Sequence, residues 1–237
     1  MAELVVTDLH VAYGSVAAVQ GVSLTASAGE CVGVLGPNGA GKTSLFRAVS
    51  RLVPYRGEVT LDGLPVRGQP EDVVRQGIGH VLEGRHIFSQ LTIRDNLLLA
   101  QFGSSGGRFK DRLASVLDTF PMLKSNLNRF GGQLSGGQQQ ILAIARGLLT
   151  QPKVLMLDEP SLGLAPMVVE QLVSTIPLIV KEWQSTVILS EQFVQLVLAV
   201  ADRVYILSHG KVVRTGPADI IHLGDEILSG YLGATAR

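Results

Sequence analysis

Short apolar runs, several rich in β-branched residues, recur along the chain and predict two groups of strands. Five runs suit the buried strands of a parallel sheet. They lie near residues 31–35, 78–82, 154–158, 186–190 and 203–207. Three other segments predict an antiparallel lobe, at residues 4–12, 19–26 and 57–62. Residues 204–214 predict a closing hairpin with His209-Gly210 at its turn.

Apolar positions at helical spacing predict three helices around the parallel sheet. They are expected at residues 42–52, 166–182 and 191–200. No linker rich in proline or serine and no repeat divides the 237 residues. This pattern favours an α/β fold in a single domain, residues 1–237, with one inserted lobe.

The stretch between Glu83 and Gly147 is helical in pattern and predicts that inserted lobe, at about residues 84–147. Its candidate helices are residues 94–100, residues 111–119 and a helix that contains Gln138. The run Gly-Ser-Ser-Gly-Gly at residues 103–107 predicts a plain turn in the middle of the lobe.

Composition excludes several classes of protein. Lys plus Arg equals Asp plus Glu, 20 against 20, so no overall positive charge attracts the chain to nucleic acid or acidic lipid. No uncharged apolar run approaches the roughly 20 residues that cross a bilayer. The first residues lack the basic segment of a signal peptide. The single cysteine, Cys31, falls in a predicted strand, which indicates packing and fits a reducing compartment.

Phosphate chemistry is indicated by a glycine-rich segment between the predicted strand at 31–35 and a helix that starts near Lys42. Glycines allow backbone conformations that a Cβ forbids, so successive N–H groups would point at one anion. The helix N-terminus adds partial positive charge, Lys42 would reach the β- and γ-phosphates, and Thr43 would hold Mg²⁺. A glycine turn without a ligand is the alternative. The segment reads Gly36-Pro37-Asn38-Gly39-Ala40-Gly41-Lys42-Thr43.

Two carboxylates end the predicted strand at 154–158, in the sequence Leu157-Asp158-Glu159-Pro160. Neighbouring strand residues point to opposite faces, so the two acids need not share one task. Asp158 would support the Mg²⁺ shell, as in phosphate-loop ATPases generally. The alternative is that both acids only open the loop and cap the helix that follows.

A third segment, Leu134-Ser135-Gly136-Gly137-Gln138, precedes a stretch rich in alanine at helical spacing. Ser135 lies where a helix cap is expected. Its hydroxyl and two exposed glycine amides would make a second anion site at the helix N-terminus. Alone, the segment would be a plain N-cap.

These three segments, in this order and spacing, resemble only the ATP-binding cassette (ABC) family of ATPases. The resemblance implies a RecA-like phosphate-loop core, with ATP and Mg²⁺ as cofactors. It implies a head-to-tail dimer in which residues 135–138 close on the γ-phosphate held by the opposite subunit. Glu159 would polarise the attacking water, and Ser44 would lie beside the α-phosphate. Tyr13 would stack on adenine, although a tyrosine at a strand end is commonly just half-buried.

Two positions depart from the commonest family pattern. Glu83 stands where most members have a glutamine that touches Mg²⁺, and a carboxylate oxygen can still bind that ion. Gln192 stands where most members have a histidine against the γ-phosphate. An amide donates a hydrogen bond but carries no positive charge, so it should stabilise the transition state less. The expected catalytic residues are therefore Lys42, Glu159 and Gln192. The expected metal ligands are Thr43, Glu83 and Asp158.

The resemblance narrows further, over about residues 3–233, to the smaller ATPase subunit of bacterial branched-chain amino-acid importers and their urea-importing relatives. It rests on several short segments. They are Glu83-Gly84-Arg85, Leu91-Thr92-Ile93 with Asn96-Leu97, the run at residues 160–166, Glu191-Gln192 and Tyr231-Leu232-Gly233.

This narrower resemblance implies partners and a location. The partners would be two transmembrane permease subunits and a second ATP-binding subunit, which is either a different chain or another copy. A periplasmic solute-binding protein would act indirectly. No nucleic acid would bind. The chain would lie on the cytoplasmic face of the inner membrane as a peripheral subunit. A groove beside Glu83, lined by residues 85–88, would hold a short permease helix; alternatively, Ile87 and Phe88 belong to the core.

Two other functions stay open from the sequence. One is an ABC ATPase without a role in transport, although the coiled-coil insertions, tandem cassettes and basic arms usual in that class are not visible. The other is a regulatory nucleotide-binding subunit that hydrolyses weakly, as Gln192 suggests. Lys42, Asp158 and Glu159 argue against it.

Overall fold

Two β-sheets with helices packed around them make up residues 2–103 and 109–219, which are the residues described in this computed structural model. Most of the predicted turn at residues 103–107 lies outside the described residues. The segment Tyr231-Leu232-Gly233 lies outside them as well.

The smaller sheet is the predicted antiparallel lobe. Its strands are β1 (Leu4–Tyr13), β2 (Val16–Ala26), β4 (Arg56–Leu61) and β5 (Leu64–Pro65). They are arranged in the order β2-β1-β4-β5, with antiparallel pairing between neighbours.

The larger sheet has six strands and contains all five predicted parallel strands. They are β3 (Cys31–Leu35), β6 (Ile78–Val81), β7 (Val154–Asp158), β8 (Thr186–Glu191), β9 (Arg203–Ser208) and β10 (Lys211–Pro217). Their order is β10-β9-β3-β8-β7-β6. The first five are parallel, whereas β10 pairs antiparallel with β9 and completes the predicted hairpin.

Eight α-helices occur in the described residues, and four of them lie between β6 and β7 as an all-helical segment. They are α1 (Lys42–Val49), α2 (Pro70–Gln76), α3 (Ile93–Leu98), α4 (Phe109–Thr119), α5 (Pro121–Lys124), α6 (Gly136–Leu148), α7 (Pro166–Glu182) and α8 (Val194–Val200). Short 3₁₀ turns add Leu99–Gly103 and Gly131–Gln133.

Two helix predictions need correction, and one helix was missed. The helix expected from residue 191 begins only at Val194, because Glu191 is still paired in the sheet, opposite Leu35 of β3. Helix α1 ends at Val49 rather than at residue 52. Helix α2 was not predicted, although Gln69 and Asp72 form a capping box before it and a proline opens it.

Alternation along the central strands divides the core into two clusters, one on each face of the large sheet. On β7, Leu155 and Leu157 join the cluster formed with the helical segment. Val154 and Met156 join the cluster formed with α1 and the antiparallel lobe. Both faces of the parallel sheet are therefore covered, which explains why its strands are apolar throughout.

Cys31 lies in this core, as the sequence predicts. Burial raises the pKa of its thiol to about 12, and the charges of Asp202 and Glu30 act in the same direction. Of the described helices, none has the length and apolar character that crossing a bilayer requires.

His80 on β6 is a titratable group enclosed by the fold. Its ring packs edge-on against Phe46, with centroids 5.9 Å apart, and Nδ1 lies 2.7 Å from Ser50 Oγ. Nε2 is shielded from solvent and has no hydrogen-bond partner among the described residues. Burial lowers the pKa of His80 to about 3, and the charge of Arg47 acts in the same direction.

Acid should destabilise the protein through His80. The imidazole titrates near pH 6.5 when unfolded and near 3 when folded. Below pH 6.5 the unfolded state therefore binds a proton that the folded state does not, and stability falls with pH, by up to about 1.4 kcal/mol per pH unit. Urea unfolding between pH 7 and about pH 5 measures this slope. His80→Gln should lose it, and equal slopes in the two proteins would contradict the assignment.

Candidate nucleotide-binding and hydrolytic site

The candidate site forms where three parallel strands end at the same edge of the large sheet. Leu35 of β3 lies opposite Glu191 of β8, and Asp158 of β7 lies opposite Ser190 of β8. The loops that follow these strands therefore meet. In open α/β sheets, the carboxyl edge of the strands is where ligands bind.

The glycine-rich segment forms a tight loop between β3 and α1. Gly39 and Gly41 have positive φ values of 79° and 104°, and Gly41 is the N-cap of α1. A Cβ on Gly41 would come within 2.4 Å of the Ala18 carbonyl oxygen. A Cβ on Gly36 would come within 2.6 Å of the Leu207 carbonyl oxygen. Close packing of backbone therefore requires glycine at these two ends of the loop.

Lys42 is buried inside this loop and uses its ammonium group fully. Nζ donates to the carbonyl oxygens of Gly36 at 2.7 Å and Pro37 at 3.1 Å, and pairs with Glu159 Oε1 at 2.9 Å. The side chains of Lys42 and Glu159 are only 3% and 7% exposed. Because an ammonium has three protons, an anion that binds Lys42 must replace one of these acceptors.

Asp158 faces Thr43 across the sheet edge. Its Oδ1 accepts hydrogen bonds from Ser190 Oγ at 2.6 Å and Thr43 Oγ1 at 3.3 Å. Its Oδ2 is buried and has no hydrogen-bond partner among the described residues. Burial raises the pKa of Asp158, the charges of Glu159 and Glu83 act in the same direction, and the two hydrogen bonds oppose them.

Glu159 and Asp158 have different partners, although Glu159 lies one residue beyond the end of β7 and strand alternation does not set its direction. Its backbone has a positive φ of 45°, and its N–H donates to Ser190. Its Oε2 accepts a 2.8 Å hydrogen bond from Gln192 Nε2, which also donates to Asn38 Oδ1 at 2.7 Å. With the Lys42 pair, Glu159 is held by two side chains from two different loops.

Residues 135–138 form the predicted helix cap. Gln138 N donates to Ser135 Oγ at 3.3 Å, and Ser135 N donates to Gln138 Oε1 at 3.0 Å. Only part of the predicted anion site is exposed, because Gly137 is buried against Val168, whereas Ser135 is exposed and Gly136 half-buried. No hydrogen bond in the described part of the chain joins these residues to residues 36–44.

Tyr13 lies at the end of β1, half-exposed, where the hairpin turns into β2. Further along β2, the Ala18 carbonyl lies against Gly41, so this hairpin borders the glycine-rich loop between β3 and α1. Ser44 lies in the first turn of α1 and is half-buried. Ala18 of this hairpin, rather than Tyr13, therefore makes the contact with the glycine-rich loop.

Glu83 makes no hydrogen bond or ion pair with Thr43 or Asp158, and its negative charge acts on Asp158 only through space. Two residues later, Arg85 lies over the start of α6: an added Cβ on Gly136 would come within 2.9 Å of Arg85 Nη1. The segment after Glu83 therefore contacts the start of α6, and Glu83 itself bonds neither of the other two predicted metal ligands.

A groove of about 350 Å³ follows this segment and is lined by Arg85, His86 and Phe88, but not by Ile87. Phe88 is exposed and lies 5.7 Å from the Arg146 guanidinium, which also donates to the His86 carbonyl at 2.7 Å. Ile87 packs against the core. The core alternative therefore holds for Ile87 and not for Phe88.

Comparison with known proteins identifies the family. A family model described as ABC transporter matches residues 19–162, more than half of the chain. The chain belongs to the ABC transporter family. It is an ATP-binding cassette with the ATPase activity of that family.

Two curated relatives of this ABC cassette share most of its length. BraG of Pseudomonas aeruginosa, a high-affinity branched-chain amino acid transport ATP-binding protein, is 38% identical over 93% of this chain and 95% of BraG. LivF of Archaeoglobus fulgidus, a probable branched-chain amino acid transport ATP-binding protein, is 34% identical over 90% of this chain and 88% of LivF.

Solved structures share the ABC cassette fold. MJ1267, an ATP-binding cassette of an ABC transporter in its ADP conformation, has a TM-score of 0.86 at 22% identity. The match covers 98% of this chain and 99% of the MJ1267 chain. A dimeric structure of MJ0796, a bacterial ABC transporter cassette, has a TM-score of 0.81 at 24% identity over 91% and 98% of the two chains. The predicted ABC ATPase fold is therefore confirmed.

Two residues of this ABC cassette were missed as part of the site. The Ser190 hydroxyl donates a hydrogen bond to Asp158 and accepts one from the backbone N–H of Glu159. Glu191, noted only for its resemblance, is a buried carboxylate bonded to Ser161. Nothing local in the sequence marks either one, because their partners are about thirty positions away and are brought near by the register of β7 and β8.

Gly41→Ala should destabilise the cassette more than Gly39→Ala. Both glycines have positive φ, so each alanine costs about 1–2 kcal/mol. Only the Gly41 Cβ meets backbone, at Ala18, whereas Gly39 has open space. Urea unfolding of both variants without nucleotide compares the two losses. Equal losses would show that the contact with Ala18 relaxes freely.

Proposed function

We propose that this chain is the ATP-hydrolysing subunit of an importer for branched-chain amino acids or a related small polar solute. The observation that carries the substrate class is the 38% identity to BraG across nearly the whole of both chains. The solute itself is inferred from the relatives, because an ATPase subunit of such an importer does not contact it.

The proposed partners are a second ATP-binding subunit, which is a different chain or a second copy, and two permease subunits. A periplasmic solute-binding protein would act indirectly, and the chain would sit on the cytoplasmic face of the inner membrane. Exposed Ser135 supports the first partner, since it would close on nucleotide held by the other subunit. The groove with Phe88 and Arg146 supports a docked permease helix, because it offers apolar and cationic groups together.

ATP would bind with its phosphates in the glycine loop and its adenine against Tyr13. The amides at the α1 N-terminus and the Lys42 ammonium would attract the β- and γ-phosphates. The three N–H groups of the Lys42 ammonium already have acceptors in Gly36, Pro37 and Glu159. A phosphate oxygen would therefore displace Glu159 from Lys42 and leave this carboxylate free to act as a base.

Mg²⁺ fits the residues present. Asp158 Oδ2 is a buried carboxylate oxygen without a hydrogen-bond partner in the described residues, and Thr43 Oγ1 lies 3.3 Å from Oδ1. Glu83 would complete the set of proposed metal ligands. No cluster of three or more acidic, His or Cys side chains occurs among the described residues, which suits an ion that keeps waters and phosphate oxygens as ligands. When bound, the ion neutralises charge on the phosphates.

Hydrolysis would follow from the position of Glu159. A water would attack the γ-phosphorus as the bond to the bridging oxygen of ADP breaks, and Glu159 would accept the proton of that water. Gln192 would keep Glu159 oriented through its 2.8 Å hydrogen bond. The amide of Gln192 also reaches Asn38 in the phosphate loop, so it would connect the base to the loop that holds the nucleotide.

A weakly hydrolysing regulatory subunit is the second candidate. The observation that favours it is Gln192, whose neutral amide stabilises a developing negative charge less than a cation does. The ordered contacts of Lys42, Asp158 and Glu159 favour active hydrolysis instead.

Glu159→Gln should separate ATP binding from hydrolysis. The amide keeps an acceptor for Lys42 but cannot take a proton, so turnover should fall by about 10²–10⁴-fold while ATP affinity stays similar. Equilibrium binding and steady-state hydrolysis measure the two effects. Glu182→Gln, at an exposed position on α7, is the matched control and should leave both unchanged. Normal turnover in Glu159→Gln would remove Glu159 from its role.

Deleting the gene in its own host should abolish ATP-dependent uptake of labelled leucine, isoleucine or valine. Wild-type chain should restore uptake and Lys42→Ala should not. A tagged chain should also co-purify from solubilised membranes with two multispanning proteins and a second ATPase. Uptake unaffected by the deletion, or recovery of DNA or ribosome factors alone, would contradict the importer and favour a non-transport ABC ATPase.

A further inference from the structure

Glu191 is a buried carboxylate that the chemistry proposed above does not use. It is the last residue of β8 and is only 2% exposed. Its Oε1 accepts the N–H of Ser161 at 2.9 Å, and its Oε2 accepts the N–H of Gln192 at 3.2 Å. The backbone of Phe193 also hydrogen bonds this carboxylate.

The residues that Glu191 joins belong to two separate loops. Ser161 lies two residues after Glu159, in the loop before α7. Gln192 lies in the loop between β8 and α8, and it bonds Glu159 directly. The main-chain carbonyl of Glu191 accepts the N–H of Gly36 at 3.3 Å. All three loops of the candidate site are therefore tied to this one residue.

The chemistry of these bonds requires a carboxylate. A buried charge is costly unless hydrogen-bond donors surround it, and here the donors are N–H groups that need acceptors. Burial raises the pKa of Glu191, whereas the hydrogen bonds from Ser161, Phe193 and Gln192 oppose that rise. A glutamine would keep one acceptor and place an NH₂ donor against N–H groups, which leaves them unsatisfied.

The same two loops carry exposed apolar side chains. Leu162 and Phe193 are both exposed. They line a cavity of about 470 Å³ that also contains Glu159, Glu191 and Gln192. A movement of either apolar residue would therefore reach the hydrolytic residues through the loop backbone that Glu191 holds.

We propose that Glu191 is a positioning residue for ATP hydrolysis, which locks the loop at residues 159–164 and the loop carrying Gln192 into one unit. The lock keeps Glu159 and Gln192 at hydrogen-bond distance. It also makes the exposed Leu162 and Phe193 move together with them. This role rests on the proposed hydrolytic function of Glu159.

The test is a double-mutant cycle between Glu191 and Gln192 in the full chain, assayed alone and in the complex purified from host membranes. Glu191→Gln should lower kcat by at least about tenfold with little change in the KM for ATP, because misplacing a catalytic group costs rate rather than substrate binding. Gln192→Ala should also lower kcat. The double variant should be no slower than the slower single variant, because Glu191 acts through Gln192.

Two further variants protect the test against a trivial loss of folding. Glu191→Asp keeps the charge but is one methylene shorter, so it cannot reach both loops; it should fold and still lose kcat. Glu170→Gln, an exposed carboxylate at the same cavity, is the control and should keep wild-type kcat. ATP-binding stoichiometry corrects every rate for the folded fraction.

The outcomes separate the two hypotheses. If wild type hydrolyses ATP but Glu191→Gln and Glu191→Asp keep its kcat, the positioning role is wrong and the proposed function stands. If the losses of Glu191→Gln and Gln192→Ala multiply in the double variant, Glu191 does not act through Gln192 and the positioning role is wrong. If wild type hydrolyses no ATP in either preparation, the proposed function fails and the role of Glu191 fails with it.

Discussion

The parallel register of β3, β7 and β8 is the constraint on which the candidate site depends. It sets Leu35 opposite Glu191 and Asp158 opposite Ser190, so three loops leave the sheet at one edge. A shift of β7 by one residue would reverse the faces of all its side chains and turn Asp158 away from Thr43. The two apolar clusters on the sheet faces oppose such a shift. Core packing and site geometry are therefore set by the same strand alternation.

The buried pair of Lys42 and Glu159 would link nucleotide binding to hydrolysis in the proposed mechanism. Removing one member of a buried pair leaves an uncompensated charge, so both charges need partners at every stage. In the proposed mechanism, a phosphate group would pair with Lys42, and Gln192 together with the attacking water would hydrogen bond Glu159. The left-handed backbone of Glu159, with φ of 45°, aims its side chain at this shared position. Strained backbone at a chemical site is commonly held in place by its surroundings. Here the carbonyl oxygen and the hydroxyl of Ser190 both accept a hydrogen bond from the Glu159 N–H.

Local patterns in the sequence predicted most of the frame, and contacts between distant segments account for what they missed. Helix α7 has the predicted bounds, and the five parallel strands lie where apolar runs indicated them. The phosphate loop was predictable because its glycines, Lys42 and Thr43 are adjacent in sequence. Glu191 was assigned to a helix because its neighbours are apolar at helical spacing, whereas pairing with Leu35 keeps it in the sheet. The burial of Gly137 under Val168 also depends on a contact that no local pattern reveals.

A continuous set of hydrogen bonds runs from the loop before α7 to the phosphate loop. Ser161 donates to Glu191, whose carboxylate also holds the backbone of Gln192, and the Gln192 side chain bonds Glu159. Glu159 in turn pairs with Lys42. A histidine in place of Gln192 would add a group that changes charge near neutral pH, whereas the amide donates in the same way at any pH. If Gln192 faces the γ-phosphate as proposed, the glutamine would stabilise negative charge there less than a protonated histidine. Its hydrogen bonds to Asn38 and Glu159 would not depend on protonation, and this would suit the proposed positioning of Glu159.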